Sequence, residues 1–323
     1  GGIPLQRVDE RRAVEVVLHA VERGVDFIDT SRAYTTSERR IGKALQKTDK
    51  RVIVASKSQS RSADKLRKDL ETSLSQLNLD YIDLYQAHFV KDEQVYTQVI
   101  SSGGALEGLR KAKEEGLIGH IGITSHSLDL LDRILDDGLF ETVMVCFSLL
   151  EPMARERIIP KALEKNVGVI AMKPFSGGII DNAGLALKYV LSQPGIVVLA
   201  GVEEKELFDE NWETFQGSWE LNESEKAEIE RIRTAYGKIF CRRCDYCQPC
   251  TEDIPIQYIL GIRSMVKRMG TRVIKEGWTA KAIEQARNCS ECGECMTRCP
   301  YGLPIPDLIR ENLQWVDEQL KAT

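Results

Sequence analysis

The sequence has little that would direct the protein to a membrane, to nucleic acid or to the cell exterior. No apolar run approaches the roughly 18 residues that a membrane-spanning helix needs, and no secretory signal peptide is visible. The formal net charge of −5 gives no electrostatic support for binding nucleic acid or anionic membranes. The sequence also has no G-x-G-x-x-G after a first strand, so the usual dinucleotide-binding fingerprint is missing.

Cysteine is nearly absent from the first 240 of the 323 residues, where Cys146 stands alone. The other eight lie between Cys241 and Cys299, in C-x-x-C runs. A disulfide scaffold would be short and secreted, with its cysteines spaced through loops. The clustering therefore predicts a metal-binding region in a reducing cytoplasm. The length, with 42% hydrophobic residues, suggests about two folded domains.

Up to about residue 215, short apolar runs alternate with amphipathic stretches. Several of the runs are nearly continuously apolar, as in parallel strands that are buried on both faces. The predicted strands are Asp26–Thr30, Val52–Lys57, Ile82–His88, His120–Ser125, Thr142–Ser148, Gly168–Pro174 and Ile196–Val202. The predicted helices are Asp9–Arg23, Ser37–Leu45, Ser62–Leu77, Ala105–Glu115, Leu128–Asp136, Glu151–Lys165, Asn182–Ser192 and Lys205–Trp212, followed by Ser224–Tyr236, Ile256–Gly270, Thr279–Arg287 and Asp307–Leu320.

This alternation predicts a parallel α/β fold. An open doubly wound sheet could hold seven strands, whereas eight would close a (β/α)8 TIM barrel. The helix at Asp9–Arg23 precedes the first visible strand, so we expect a first strand upstream of Gly1 and favour the barrel. The expected organisation is a barrel at residues 1–215, a linker helix within 216–240 and a mainly α-helical, cysteine-rich domain at 241–323.

Four polar side chains lie at or just after the ends of successive predicted strands, namely Asp29, Tyr34, Lys57 and His88. In such barrels the catalytic groups lie at the carboxyl ends of the strands. A lysine cation lowers the pKa of a nearby tyrosine, and an aspartate can hold that lysine charged. His88 could then orient a carbonyl oxygen beside the Tyr34 hydroxyl, which suits general-acid catalysis of carbonyl reduction. Alternatively, each residue only forms hydrogen bonds at the barrel mouth.

Three segments around these residues resemble the aldo-keto reductase family: GVDFIDTSRAYTTSERRIGKAL at 24–45, VIVASK at 52–57 and DLYQAH at 83–88. The resemblance spans most of residues 1–215. It implies a (β/α)8 barrel that moves hydride between NAD(P)H and a carbonyl. It also implies a catalytic tetrad of Asp29, Tyr34, Lys57 and His88, with Tyr34 as the proton donor.

The same resemblance implies contacts to the nicotinamide cofactor. Thr124 and Ser125 would meet the carboxamide, Lys173 would lie beside the pyrophosphate, and residues 201–211 resemble the motif for the adenosine end. From that motif the expected cofactor residues are Gly201, Glu203, Glu210 and Asn211.

Three positions depart from the family pattern. Met144 stands where the family usually has glutamine, and Met172 stands where many members stack an aromatic ring on the nicotinamide. Glu203 occupies the position that often binds the 2′-phosphate, and an acid there favours NADH over NADPH. Alternatively, Glu203 and Glu204 only begin a solvated helix, where acids suit the helix dipole.

The cysteines form two runs. The second run, Cys289, Cys292, Cys295 and Cys299 before Pro300, has the C-x2-C-x2-C-x3-C-P spacing of bacterial ferredoxins. The first run is Cys241, Cys244, Cys247 and Cys250. Ferredoxin resemblance implies two 4Fe–4S clusters, with the fourth cysteine of each run crossing to the other cluster. The alternative is two structural zinc ions, for which the third cysteine of each run is redundant.

The combination resembles the aldo-keto reductase subgroup with a C-terminal ferredoxin-like domain. It implies a cytoplasmic oxidoreductase acting on an aldehyde, ketone or sugar-derived carbonyl, with clusters for electron relay or for structure. Hydride transfer moves two electrons whereas a cubane carries one, so a relay to a partner such as ferredoxin would require radical chemistry or a further cofactor. A competing hypothesis is an electron-transfer or protein-interaction module with a catalytically idle barrel.

Overall fold

The computed structural model describes residues 1–322, and of Arg268 only the backbone. All seven predicted strands are present, and every neighbouring pair is parallel. The strands are β1 Phe27–Asp29, β2 Ile53–Ser58, β3 Ile82–Ala87, β4 Ile118–Thr124, β5 Thr142–Cys146, β6 Gly168–Met172 and β7 Ile196–Leu199.

Helices follow each strand and continue to the end of the described chain. Up to residue 236, after a short 3₁₀ helix at Ile3–Gln6, they are α1 Glu10–Arg23, α2 Ser37–Leu45, α3 Ala63–Leu77, α4 Glu93–Ile100, α5 Ala105–Glu114, α6 Leu128–Asp137, α7 Ala154–Glu164, α8 Ala183–Leu191, α9 Lys205–Gln216 and α10 Glu223–Tyr236. Beyond it they are α11 Ile256–Leu260, α12 Ile262–Met269, α13 Arg272–Lys275, α14 Gly277–Ala286, α15 Glu294–Arg298 and α16 Ile305–Lys321. No described helix is long and apolar enough to cross a membrane.

The order of the strands in the sheet is the same as their order in the chain, β1 to β7. A doubly wound sheet would reverse its strand order at a switch point, so that alternative is excluded and the barrel topology remains. Within residues 1–322, β1 and β7 form the two edges of the sheet. An apolar groove of about 490 Å³ lies along these edges, lined among others by Phe27, Val198 and Trp212. An eighth strand upstream of Gly1 stays a prediction.

Local sequence signals explain how the helices around β1 begin and end. The side chain of Asp9 accepts a hydrogen bond from the Arg12 amide at 3.0 Å and caps α1. Gly24 ends α1 at a φ of 113°, a backbone conformation that favours glycine. These two signals set the ends of α1, the helix that precedes β1 and its last residue, Asp29.

The chain divides into two compact units. One comprises Gly1–Ser148, Pro152–Phe175 and Asn182–Glu220, and contains the whole sheet. Its interior holds Ala55, Leu84, Met144, Ile170 and Leu199. The other comprises Leu149–Glu151, Ser176–Asp181 and the chain from Leu221 onward. Its core is built from isoleucines and leucines of α11, α14 and α16. The predicted boundaries at residues 215 and 240 stay predictions.

Candidate active site and cysteine clusters

Parallel pairing brings the polar residues of the first three strands to one edge of the sheet. Asp29 is the last residue of β1 and pairs in register with Ala55 of β2. Lys57 is the second-to-last residue of β2 and pairs with Gln86 of β3. Gln86 lies two residues before His88 in the chain. Tyr34 lies in the loop after β1. The structure therefore brings the four predicted catalytic residues together.

Asp29 and Lys57 form a buried ion pair. The Lys57 Nζ lies 2.7 Å from both carboxylate oxygens of Asp29 and 2.6 Å from the carbonyl oxygen of Thr30. Only 1% of Lys57 and 3% of Asp29 is exposed. Burial by itself lowers the pKa of Lys57, but the charges of Asp29 and Tyr34 outweigh it and the pKa is raised. Lys57 is therefore an ammonium at neutral pH.

Tyr34 lies between this ion pair and His88. The Lys57 Nζ is 5.1 Å from the centroid of the Tyr34 ring, and a hydrogen bond with Tyr34 contributes to the raised pKa of Lys57. The rings of Tyr34 and His88 meet edge to face with centroids 5.8 Å apart. A positive charge next to the phenol stabilises its anion, which makes Tyr34 a better proton donor.

His88 is held as a neutral imidazole. Burial, followed by the positive charges of Lys57, Arg61 and Lys173, keeps the pKa of His88 well below its ordinary value. Its Nδ1 atom lies 3.0 Å from Ser31 Oγ. The Ser31 hydroxyl also lies 3.1 Å from the carbonyl oxygen of Lys57, to which it can donate.

Ser31 was missed by the sequence analysis. It lies two residues after Asp29 and is 1% exposed. A buried hydroxyl in the segment between Asp29 and Tyr34 was the available signal, because buried polar groups are generally hydrogen-bonded. Its partner His88 follows a different strand, so the contact depends on the sheet register.

The residues expected to hold the nicotinamide end lie at the ends of β4 and β6. Thr124 and Ser125 are buried at the end of β4. The Thr124 hydroxyl accepts a hydrogen bond from the Phe89 amide at 2.7 Å. Lys173 follows β6, and its ammonium lies 3.0 Å from His126 Nε2. These hydroxyl and ammonium donors suit a carboxamide and a pyrophosphate, so the residues present fit a dinucleotide.

The residues expected at the adenosine end are spread more widely. Gly201 follows β7, and Glu203 forms an ion pair with Arg7. Glu210 is exposed on α9, whereas Asn211 lines the apolar groove along β1 and β7. The Arg7–Glu203 pair balances the acidic charge on which the preference for NADH was based.

The side chains of Met144 and Met172 lie in or against the apolar cluster formed by residues of the strands. Met144 is 2% exposed and belongs to the interior cluster, and Met172 packs against that cluster. Their thioethers fill the space between the strands, as flexible methionine side chains do in cores.

The eight clustered cysteines line two separate cavities in the C-terminal unit. One cavity is lined by Cys241, Cys244, Cys247 and Cys299. The other is lined by Cys250, Cys289, Cys292 and Cys295. No disulfide joins any of the nine cysteines, all of which lie within residues 1–322. Each cavity thus holds three cysteines of one run and the last cysteine of the other, which is the grouping that ferredoxin resemblance implied.

The donor set fits iron–sulfur clusters. Four thiols around one cavity are the ligands of a 4Fe–4S cluster, in which each cysteine binds a different iron. A single zinc ion needs its ligands to converge on one point. Within residues 1–322, no three His, Cys, Asp or Glu side chains converge in that way.

Polar groups surround the cavity of Cys241. The Arg243 amide donates a hydrogen bond to Cys241 Sγ at 3.4 Å. The Arg243 guanidinium binds both carboxylate oxygens of Glu151, at 3.0 and 2.9 Å. Burial raises the pKa of Cys241 and of Cys244 to about 11. These thiols therefore keep their protons at neutral pH until a cationic metal displaces them.

Comparison with known proteins adds to this geometry. Residues 1–184 match the sequence model of the aldo/keto reductase family, and residues 240–304 match that of a 4Fe-4S dicluster domain. An L-galactose dehydrogenase of Arabidopsis thaliana is 33% identical over 192 residues, which are 55% of this chain and 59% of that protein. An NADH-specific methylglyoxal reductase of Escherichia coli is 24% identical over 198 residues, 54% of this chain and 60% of that protein. The chain thus spans about three-fifths of the length of these relatives.

Solved structures show the fold. The holo form of an aldo-keto reductase from Bacillus halodurans superposes with a TM-score of 0.60 at 22% identity, covering 69% of this chain and 88% of that one. A Klebsiella pneumoniae aldo-keto reductase in complex with NADPH gives 0.59 at 21% identity, covering 69% and 85%. The predicted barrel fold is confirmed. The cysteine-rich domain predicted after the barrel in the sequence is confirmed as well. The sequence model of the aldo/keto reductase family matches more than half of the residues, and the chain therefore belongs to that family.

Proposed function

We propose that the protein is an oxidoreductase that transfers hydride between NAD(P)H and an aldehyde, ketone or sugar-derived carbonyl. The observation that carries this proposal is the buried Asp29–Lys57 ion pair beside Tyr34 and a neutral His88. A charged lysine buried under a phenol serves little structural purpose, whereas it suits a phenol that must release a proton. The relatives named L-galactose dehydrogenase and methylglyoxal reductase support exchange with small carbonyl compounds.

Each residue of the tetrad has one task in the reduction. A reduced nicotinamide held by Thr124, Ser125 and Lys173 would supply hydride to the carbonyl carbon. As the C=O π bond breaks, Tyr34 donates its hydroxyl proton to the oxygen, and the Lys57 ammonium stabilises the tyrosinate that remains. Asp29 keeps Lys57 charged and in place, and His88 orients the carbonyl oxygen toward Tyr34. Solvent then reprotonates Tyr34.

We propose that Thr124, Ser125 and Lys173 hold the nicotinamide and pyrophosphate, and that Gly201, Glu203, Glu210 and Asn211 hold the adenosine end. We also propose NADH as the preferred cofactor, with a small preference because Arg7 balances Glu203. A tenfold or greater preference for NADPH in initial rates would overturn this choice.

Four cysteines line each of the two cavities, and we call each set a cysteine quartet. We further propose that the two cysteine quartets each bind one 4Fe–4S cluster in a reducing cytoplasm. Electron relay and structural support predict different results after iron removal. A relay to a partner such as ferredoxin would leave NADH-dependent carbonyl reduction intact and abolish electron exchange with the partner. If the clusters instead support the structure, iron removal would lower the melting temperature of the C-terminal unit.

The proposed function is tested by replacing Tyr34 with phenylalanine in the cluster-loaded protein. We expect carbonyl reduction to fall by a factor of about 100 or more, because the proton donor is lost while the ring remains. Tyr81→Phe is the matched control, since Tyr81 is exposed at the other end of β3. Initial rates with NADH and circular dichroism for folding give the comparison.

Full activity of the Tyr34→Phe variant would remove the tetrad assignment. If the wild-type protein binds neither NADH nor NADPH in fluorescence titrations, the barrel is catalytically idle. The electron-transfer or interaction module then becomes the better hypothesis.

A further inference from the structure

A cavity of about 780 Å³ opens beside the loop that carries Tyr34. It is lined by Arg32 and Ala33 of that loop, by the segment between β2 and α3, by Gln98 of α4, and by residues 101–104 between α4 and α5. Three cations, Arg32, Arg61 and Lys65, line it, against one carboxylate, Asp69. The proposed reduction assigns none of these residues a role.

Arg61 is the central group of this cavity. Its Nη2 atom donates hydrogen bonds to the carbonyl oxygens of His88 and Phe89, each at 2.9 Å. Its Nη1 atom is buried and has no hydrogen-bond partner in the part of the chain that the structure describes. Buried donors nearly always have partners, so a guanidinium held by one nitrogen suits an external anion at the other.

The other charges leave the cavity positive. Arg32 is paired with Glu38, which does not line the cavity. Lys65 is exposed in the first turn of α3. Asp69 Oδ2 accepts hydrogen bonds from the hydroxyls of Ser58 and Ser60, which are neutral groups.

The position of the cavity indicates that an anion bound there is part of the substrate. Arg61 binds the backbone of His88, and the Arg32 amide donates to the carbonyl oxygen of Lys57 at 3.0 Å. The cavity therefore adjoins the backbone of the segments that carry Lys57 and His88. The residues proposed to hold the cofactor follow β4, β6 and β7. An anion beside Arg61 thus belongs to the molecule that carries the carbonyl.

We propose that this cavity binds an anionic group of the substrate, a phosphate or a carboxylate, and that the carbonyl substrates are therefore acidic. Arg61 and Lys65 bind the anion while the carbonyl lies at Tyr34 and His88. Because this rests on the proposed function, the test includes a reading that does not depend on turnover.

The test compares three aldehydes as substrates of the cluster-loaded protein: glyceraldehyde 3-phosphate, succinic semialdehyde and uncharged glyceraldehyde. We expect one anionic aldehyde to exceed glyceraldehyde about tenfold or more in kcat/KM, as a charge-assisted hydrogen bond provides. The better of the two tells phosphate from carboxylate. Lys65→Gln should reduce this ratio several-fold and Arg61→Gln should abolish it. Lys68→Gln, an exposed change on the same helix outside the cavity, should leave the ratio unchanged.

Binding of inorganic phosphate and of succinate, followed by calorimetry without nicotinamide, separates the two proposals. Binding that Lys65→Gln weakens, in a protein that reduces none of the aldehydes, would support the anion site and overturn the reductase. Equal kcat/KM for the three aldehydes, with no binding of either anion, would overturn the anion site alone. Lys65→Gln carries the test if Arg61→Gln fails to fold.

Discussion

At the scale of single residues, one hydroxyl proton determines which ring nitrogen of His88 carries the imidazole proton. Ser31 Oγ has a single hydrogen and two acceptors in reach, the Lys57 carbonyl oxygen at 3.1 Å and His88 Nδ1 at 3.0 Å. When Ser31 donates to Nδ1, the neutral imidazole carries its proton on Nε2 and can donate to a carbonyl oxygen. Ser31 is thus a positioning residue for the proposed reduction.

Ser31→Ala removes this control of the tautomer. We expect kcat to fall roughly tenfold with little change in KM, the effect of one lost hydrogen bond that orients a catalytic group. The ¹⁵N shifts of the His88 ring should show a mixture of tautomers, which a merely structural role would not produce. Ser58→Ala is the control, because Ser58 is equally buried and its hydroxyl binds Asp69. An unchanged kcat and a single unchanged tautomer would refute the role.

The sequence predicted the tetrad because Asp29, Lys57 and His88 all mark strand ends, and parallel strands bring their ends together. The roles of Ser31 and Arg61 could not be predicted in the same way. Both depend on contacts with His88 or its backbone, which follows β3 rather than their own strand. Such contacts are set by the sheet register and leave no periodic pattern in the sequence.

At the scale of secondary-structure elements, Gly42 sets how closely α2 approaches α3. A Cβ atom at Gly42 would lie 2.6 Å from the carbonyl oxygens of Gln76 and Leu77. These backbone atoms at the end of α3 cannot move aside as a flexible side chain does. The glycine therefore serves the packing of the two helices.

Gly42→Ala should lower the free energy of unfolding of the barrel unit by about 1–3 kcal/mol, as overpacking does. Gly184→Ala is the matched change in α8, where the added Cβ would contact only Thr214 at 3.6 Å. There the better helix propensity of alanine should stabilise by up to about 1 kcal/mol. Urea titrations followed by circular dichroism measure both. A neutral Gly42→Ala would contradict the close packing of α2 and α3.

The region predicted to be helical at Ile256–Gly270 is helical, and Gly261 divides it into α11 and α12. Glycine in a helix interior is destabilising, and Gly261 accordingly lies between the two helices rather than within one. The helices α4, α13 and α15 were not predicted. Each is short, so its apolar pattern is too brief to distinguish from a loop.

At the scale of the whole molecule, the two cysteine quartets make a prediction that single changes cannot test. Cys299→Ser should remove about half of the iron, and so should Cys250→Ser. Cys244→Ser combined with Cys299→Ser should remove no more than either alone, since both line one cavity. Cys250→Ser combined with Cys299→Ser should remove nearly all of it.

Iron analysis and visible absorbance of anaerobic protein measure these losses. Cys146→Ala is the control, because Cys146 lies in β5 of the other unit. If the pair Cys244→Ser and Cys299→Ser removed all the iron, each run would hold its own cluster and the proposed grouping would be wrong. Zinc in place of iron would refute the clusters themselves.

The crossing of the cysteines also has a consequence for the order of events during synthesis. The first cavity needs Cys299, and the second needs Cys250 together with the second run. The first three cysteines of the C-terminal unit therefore leave the ribosome long before their fourth partner exists. The chain between the runs, which carries much of the core of that unit, must fold back before either site is complete. Completion of both cysteine sites therefore comes after the barrel residues and after the second cysteine run have been synthesised.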